Sequence, residues 1–265
     1  MRKIGLQLHS LREDFKADPA RTLYTIREMG YTGVEMPIGS VTQMKEGLGE
    51  LSAAAYRRMF KEADLECYGV LASWDLVGEE NLERTIAYNL ELGSPFLVIG
   101  AVPENLLVDE ATADRAVEHM NRIIEPIKAA GLITGYHNHA SDFENTPGGY
   151  SFYERVLNNT PQEFVMLLDT GNAMAGGGDC YSLFEKYPAR SPFLHIKGYS
   201  AKEDYLANIG SDDFDWPRLL RLAYEVGGAR TVSVEFGKRG DYVPAERAAR
   251  LLKTLHAMLD EIGIY

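Results

Sequence analysis

Cysteine is scarce in this chain of 265 residues: Cys67 and Cys180 stand alone in unrelated contexts. Neither belongs to a CxxC pair, which argues against a disulfide framework and against a zinc site built on thiolates. Long apolar runs are missing too. No stretch approaches the ~20 residues a membrane-spanning helix needs, and the apolar part of MRKIGLQLHS is too short for a signal peptide. A cytoplasmic protein with no membrane partner is expected. Basic residues are outnumbered, 27 Lys and Arg against 39 Asp and Glu, for a formal charge of −12. With no dense Lys/Arg stripe, that balance speaks against a nucleic-acid partner, although a local basic groove could sit inside an acidic total. No GxGxxG or Walker-type loop follows the first strand, and no Pro/Ser-rich linker or low-complexity tract divides the chain.

What the chain does have is alternation. Eight short apolar runs read as strands: KIGLQLHS (3–10), GVEMPI (33–38), ECYGVLAS (66–73), FLVIGA (96–101), LITGYHNH (132–139), EFVMLLDTG (163–171), SPFLHIKG (191–198) and RTVSVEFG (230–237). Between them lie segments with apolar residues three and four apart. DPARTLYTIREMG opens on Asp18 as a cap with Pro19 at the first helical position and closes on Gly30. A second begins at Leu51 and Ser52, a third ends at Gly93, and DEATADRAVEHMNRIIEPIKAAG carries Pro126 as a kink or a break. DWPRLLRLAYEVGG and PAERAARLLKTLHAMLDEIG close the series. Strand-then-helix units in this number predict an α/β fold, a single (β/α)8 TIM barrel spanning residues 1–265.

The acids and histidines fall where such a barrel keeps its chemistry, at the C-terminal ends of the strands. Asp169, His195 and Glu235 each close an apolar run, and LITGYHNH ends in His137 and His139 with Glu144 shortly after. By alternation Leu167 and Asp169 share one face, as do His195 and Lys197, and His137 and His139 face opposite to Asn138. Singly, each has an ordinary reading. His195 could be a core histidine bonded to a carbonyl, Lys197 a snorkelling lysine, and Asp169 a turn residue bonding its own backbone. Glu235 is harder to explain, because an unpaired carboxylate closing a buried strand is costly. Together they describe a metal site. Oxygen and imidazole donors without thiolates suit one divalent ion, Mn²⁺ first, with Mg²⁺, Co²⁺ or Zn²⁺ as alternatives. Gln7, His9, Trp74 and Lys197 are candidates to bind substrate, Trp216, Tyr199, Phe236 and Tyr242 equally read as packing, and Arg12, Lys238 or Arg239 could hold a phosphate.

These motifs, GLQLHSLR (5–12), GYTGVE (30–35), YHNHASDFE, LLDTGN, LHIKGY, IGSDDFDW (209–216) and SVEF, resemble in order those of the xylose isomerase-like TIM-barrel superfamily, in its sugar phosphate isomerase/epimerase branch with a YHNH signature. The resemblance implies one divalent metal held by a Glu–Asp–His–Glu quartet. Asp169, His195 and Glu235 map to three ligands. Many relatives carry a glutamate where this chain has His137, so Glu144 is taken as the first ligand, with His137 or His139 as its substitute. HIKGY places Gly198 where an acid is more usual.

The chemistry implied is abstraction of the proton next to a substrate carbonyl, with the metal stabilising the enediolate. Glu144 and Glu235 would serve one face each of a keto-sugar or polyol, giving an isomerase or epimerase of carbohydrate metabolism. The alternative is a lyase, a keto-inositol dehydratase or 3-keto-glycoside eliminase, with His137 or His139 as the extra acid–base group and Lys197 polarising the carbonyl. An abasic-site endonuclease shares the fold but is disfavoured by the charge, and a non-catalytic carbohydrate-binding barrel is disfavoured by the intact Asp–His–Glu set. The expected partner is a small carbohydrate; the resemblance is also compatible with a homo-oligomer.

Overall fold

Each apolar run becomes a parallel strand in the computed structural model, which describes residues 2–39, 52–144, 149–237, 240 and 242–264. The strands are β1 (Lys3–Gln7), β2 (Gly33–Ile38), β3 (Glu66–Ala72), β4 (Phe96–Ile99), β5 (Ile133–His137), β6 (Val165–Leu167), β7 (Phe193–Ile196) and β8 (Thr231–Val234). They run in the order β6-β5-β4-β3-β2-β1-β8-β7. The remaining seam, between β6 and β7, is stitched by one bridge between Asp169 and His195, where the His195 amide donates to the Leu168 carbonyl at 2.9 Å. The result is a nearly closed (β/α)8 barrel whose closing bridge joins two of the residues singled out above.

Helices surround the sheet. In chain order they are α1 (Arg12–Ala17), α2 (Pro19–Met29), α3 (Ala53–Glu62), α4 (Leu82–Leu92), α5 (Glu110–Ala129), α6 (Ser141–Glu144), α7 (Phe152–Asn158), α8 (Thr170–Ala175), α9 (Cys180–Lys186), α10 (Trp216–Arg221) and α11 (Pro244–Glu261). Their ends follow the local chemistry. Asp18 accepts from the Arg21 amide ahead of Pro19, and Ser52 accepts from the Ala55 amide. Asp109 and Thr112 form a reciprocal capping box at the start of α5. Pro126 lies within α5 without ending it; it comes in the last turn, so little helix remains beyond it to be displaced. After α10 the chain widens into a π-turn over Leu222–Val226. No helix among the described residues is long and apolar enough to cross a membrane.

Inside the barrel, Tyr68, Leu71, Phe96, Val98, Val165, Leu167 and Phe193 form one buried cluster. It plugs the lower barrel beneath the acids and histidines of the C-terminal rim. Close strand contact at β5 and β6 depends on Gly135, because a Cβ there would stand 2.2 Å from the Val165 carbonyl oxygen. The obstacle is backbone, so relief requires the two strands to separate. Gly135→Ala is expected to destabilise the fold by about 3 kcal/mol, the upper end for overpacking, read as a lower urea midpoint.

Candidate metal centre

Strand alternation carries His137, Asp169, His195 and Glu235 to one point above the apolar plug. All four are buried, and one donor atom from each lies within 4.8 Å of the others. His137 Nε2 is 3.6 Å and His195 Nδ1 3.8 Å from Asp169 Oδ2, and His195 Nδ1 is 2.9 Å from Glu235 Oε2. His137 Nε2, Asp169 Oδ2 and His195 Nδ1 are buried without a hydrogen-bond partner. Burying such atoms unmet is costly. The tautomer of His137 sharpens the point. Its Nδ1 lies 3.2 Å from the Gly100 carbonyl, which can only accept, so Nδ1 carries the proton and Nε2 presents a lone pair to the carboxylate. A shared cation relieves all three atoms at once, and the residues therefore fit a divalent metal ion.

The aspartate does two jobs. Oδ1 accepts from the Asn172 amide at 2.7 Å and caps α8, as an Asp-Thr-Gly turn would, while Oδ2 stays aimed at the cluster. Asn138 grips its backbone from both sides, accepting from the Asp169 amide at 2.7 Å and donating to its carbonyl at 3.1 Å. Asn172 donates in turn to the Asn138 carbonyl at 3.0 Å. Asp169 thus caps a turn with one oxygen and turns the other to the cluster.

Lys197 shares the inward face with His195. Its Nζ lies 2.8 Å from Glu235 Oε1, 3.0 Å from Asn172 Oδ1 and 3.4 Å from Asp169 Oδ2. Burial would raise both carboxyls, but Lys197 and the neighbouring imidazoles override it and hold Asp169 and Glu235 below the usual carboxylate range. Burial would likewise lower Lys197, and the two carboxylates instead raise it, so the ammonium is charged. For His195 desolvation opposes charge, yet Glu35, Asp169 and Glu235 raise it well above the ordinary imidazole value.

Above the cluster opens a cavity of about 270 Å³, walled by Gln7, His9, Ser73, His137, His139 and Glu235 among others. That is near the lower end of small-molecule pockets, ~300 Å³. Gln7 turns its Oε1 to the His9 amide at 2.5 Å. His139 lies just past the end of β5, its ring edge-on to that of His137 with centroids 5.0 Å apart. Desolvation lowers His9, with Glu235 opposing, and lowers His139, with His137 adding to the effect. Both are neutral imidazoles at pH 7.

Other expected site residues stand elsewhere. Glu144 is exposed at the end of α6 and is not among the four clustered donors, where His137 stands with Asp169, His195 and Glu235. The helix turns its buried Asp142 inward instead, where Tyr136 Oη donates to both carboxylate oxygens at 2.9 Å and the His139 amide donates at 2.7 Å. Trp74 packs against His119, centroids 4.7 Å apart, and does not wall the cavity. Trp216 is fully buried and donates to Asp212 at 2.7 Å, a packing role. Arg12 donates to the His9 carbonyl at 3.1 Å, and Lys238 and Arg239 lie outside the described residues. Asn172 was not singled out from the sequence, although its place three residues after Asp169 is a capping interval. Glu144→Gln is expected to leave Mn²⁺ affinity within about twofold of the parent, whereas His137→Ala lowers it by at least ~10-fold, measured by calorimetric titration.

A family model described as xylose isomerase-like TIM barrel matches residues 23–260. Among solved structures, the chain is similar to a sugar phosphate isomerase/epimerase from Parabacteroides distasonis ATCC 8503, with 26% identity, a TM-score of 0.80, and coverage of 97% of this chain and 94% of that one. A second sugar phosphate isomerase/epimerase from the same organism aligns at 20% identity and TM-score 0.79, over 97% and 98% of the two chains. An L-ribulose 3-epimerase aligns at 12% identity and TM-score 0.73, over 99% and 96%. The last two likenesses show a shared fold. No curated protein matches the sequence.

Proposed function

This chain belongs to the xylose isomerase-like TIM-barrel family, and on that premise we propose that it is a divalent-metal-dependent isomerase or epimerase acting on a keto-sugar or polyol. The observation that carries the reading is the set of buried, unpartnered donor atoms converging from β5, from just past β6 and from β7, with Glu235 after β8. His137, Asp169, His195 and Glu235 would hold the ion. Two imidazoles beside two carboxylates favour Mn²⁺, Co²⁺ or Zn²⁺ over Mg²⁺, which prefers oxygen. A bound divalent ion supplies Lewis-acid stabilisation of the negative charge that develops on a carbonyl oxygen as the neighbouring proton leaves.

The chain's own groups divide the remaining work. Glu235 borders both the donor cluster and the cavity, and its carboxylate is kept ionised by Lys197, so it is placed to accept a proton from substrate. Glu144 stands exposed and outside the donor cluster, which favours histidines over a second glutamate for the other face. His139 and His9, neutral on the cavity wall, take the part of a second acid–base group. Lys197 offers a fixed positive charge beside the substrate oxygens.

His139 also favours a second reading. A neutral imidazole lying over the mouth, outside the donor cluster, can take up the proton removed next to the carbonyl and then, as imidazolium, deliver it to a leaving hydroxyl or aglycone, which would make the enzyme a lyase on the same kind of substrate. The test is metal-stripped and Mn²⁺-reconstituted protein incubated with ketohexoses, a keto-inositol and 3-keto-glucosides in D₂O, with products followed by NMR. Metal-dependent deuterium uptake with an epimer or aldose supports the isomerase. Metal-dependent loss of water or aglycone replaces it with the lyase. Full metal loading without exchange on any of them overturns both.

A further inference from the structure

Glu35 sits on β2 inside the barrel, wholly buried and below the cavity, where substrate does not reach. An ionisable side chain at that depth needs a reason. The local backbone is arranged around it. The β2–β3 ladder slips between Val34 and Glu35, pairing Val34 with Cys67 and Glu35 with Gly69, so Tyr68 is an extra residue on β3. Gly69 then faces Glu35 with no side chain, and a Cβ there would stand 3.3 Å from Glu35 Oε1 and 2.5 Å from the Phe193 ring. The bulge and the glycine together open space for the carboxylate.

Glu35 uses that space to reach one group. Its Oε2 lies 2.6 Å from His195 Nε2, while His195 Nδ1 is turned to Asp169 and Glu235. Neither oxygen of Glu35 has an aligned hydrogen bond in this arrangement, so the imidazole is the partner that can answer its charge. A histidine that gives one ring nitrogen to a metal ion must keep its proton on the other, and a carboxylate facing that other nitrogen both selects the tautomer and makes the ligand more basic. We propose that Glu35 is a positioning residue for the metal centre: it holds the proton of His195 on Nε2 and thereby presents Nδ1 as the metal-binding nitrogen. This rests on the metal-centre reading given above.

The asymmetry with His137 supports the assignment. There a neutral carbonyl, Gly100, faces Nδ1 and leaves Nε2 for the cluster. The two imidazoles would enter the same centre through opposite nitrogens, each set by what lies behind it. Of the two, only His195 has an acidic side chain rather than a backbone carbonyl behind it, and it is also the residue whose backbone closes the barrel seam.

The experiment is calorimetric titration of Mn²⁺ or Zn²⁺ into metal-free parent, Glu35→Gln and Glu35→Asp proteins. Glu35→Gln keeps the shape and can accept from Nε2 without the charge; a loss of about 10- to 100-fold in metal affinity is expected, the size found for outer partners of metal-bound histidines. Glu35→Asp restores the charge but withdraws it by one methylene, and should bind between the other two. Parent-like affinity in Glu35→Gln overturns the proposal while leaving the metal centre intact. Absence of binding in the parent overturns the metal-centre reading itself. Should neither variant fold, ¹⁵N-histidine NMR of the Zn²⁺-loaded parent decides: His195 with a protonated Nε2 and a metal-shifted Nδ1 supports the assignment, and the reverse tautomer overturns it.

Discussion

Asp169→Asn is expected to cost the protein its bound metal and about a thousandfold in kcat/KM while leaving its helices in place. The two oxygens of this residue have separate duties, and asparagine can reproduce only one. Its carbonyl can still accept from the Asn172 amide, and asparagine is as good an N-cap as aspartate, so α8 keeps its start. At the second position an amide donor replaces the unpartnered oxygen that faces His137 and His195. A donor cannot ligate a cation there. Losing a Lewis acid removes several kcal/mol of transition-state stabilisation, and about 4 kcal/mol corresponds to a factor of ~1,000. Asp169→Ala should show the same loss of metal and turnover with about 1 kcal/mol less stability, because it also removes the cap. Metal content, steady-state rates and urea midpoints of the two variants separate the duties. Turnover and metal content at parental levels in Asp169→Asn would remove the basis for a metal centre.

The second large effect is expected from Lys197→Met, which keeps length and packing but deletes the charge. In the metal-free protein, Lys197 is the ammonium that answers Asp169 and Glu235 in a buried setting. Removing one partner of such a pair costs roughly 3–5 kcal/mol, since the charges left behind remain desolvated. The pH dependence follows from the signs. In the parent the two carboxyls are held below their unfolded range, so their contribution is present above that range and is lost as the pH falls below it through their depressed folded values. In the variant only the neighbouring imidazoles still oppose burial, so both carboxyls rise and the penalty for ionising them shrinks on acidification. The stability gap between parent and variant is therefore widest near neutrality and closes as the pH drops. Added metal should narrow the gap at neutral pH, because a divalent ion supplies positive charge at the same place. Thermal unfolding with and without Mn²⁺, from pH 7 downward, checks each part. A gap that is independent of both pH and metal would mean that Lys197 acts through its packed stem alone.

Much of the barrel was legible from one-dimensional patterns. The strands sit inside the apolar runs, and the caps at Asp18, Ser52 and Asp109 follow local rules. Strand alternation alone places His195 with Lys197 and Leu167 with Asp169. The short helices were harder. α7 and α9 have seven residues each, two turns, too few for an apolar stripe to repeat convincingly. Pro126 reads as a kink or a break, yet α5 runs on past it through its last turn to Ala129.

For the site, the division has a physical cause. Which way a strand residue faces depends on its neighbours in the chain, and so Asp169, His195 and Glu235 could be assigned to one rim from their own runs. Which residue completes the set depends on distances between strands and on where a loop turns, and neither is encoded locally. Glu144 reads from the sequence as the first ligand, but past β5 the chain closes a turn of helix that buries Asp142 against Tyr136 and leaves Glu144 in solvent. His137, already in the strand, lies with the other three donors. The role of Glu35 is further still from local reading, because it needs a one-residue slip between β2 and β3 and the absence of a side chain at Gly69. From the sequence alone came the barrel, its rim and three of the clustered donors. The fourth donor and the carboxylate behind His195 came from the tertiary structure, because both depend on how strands remote in sequence stand against one another.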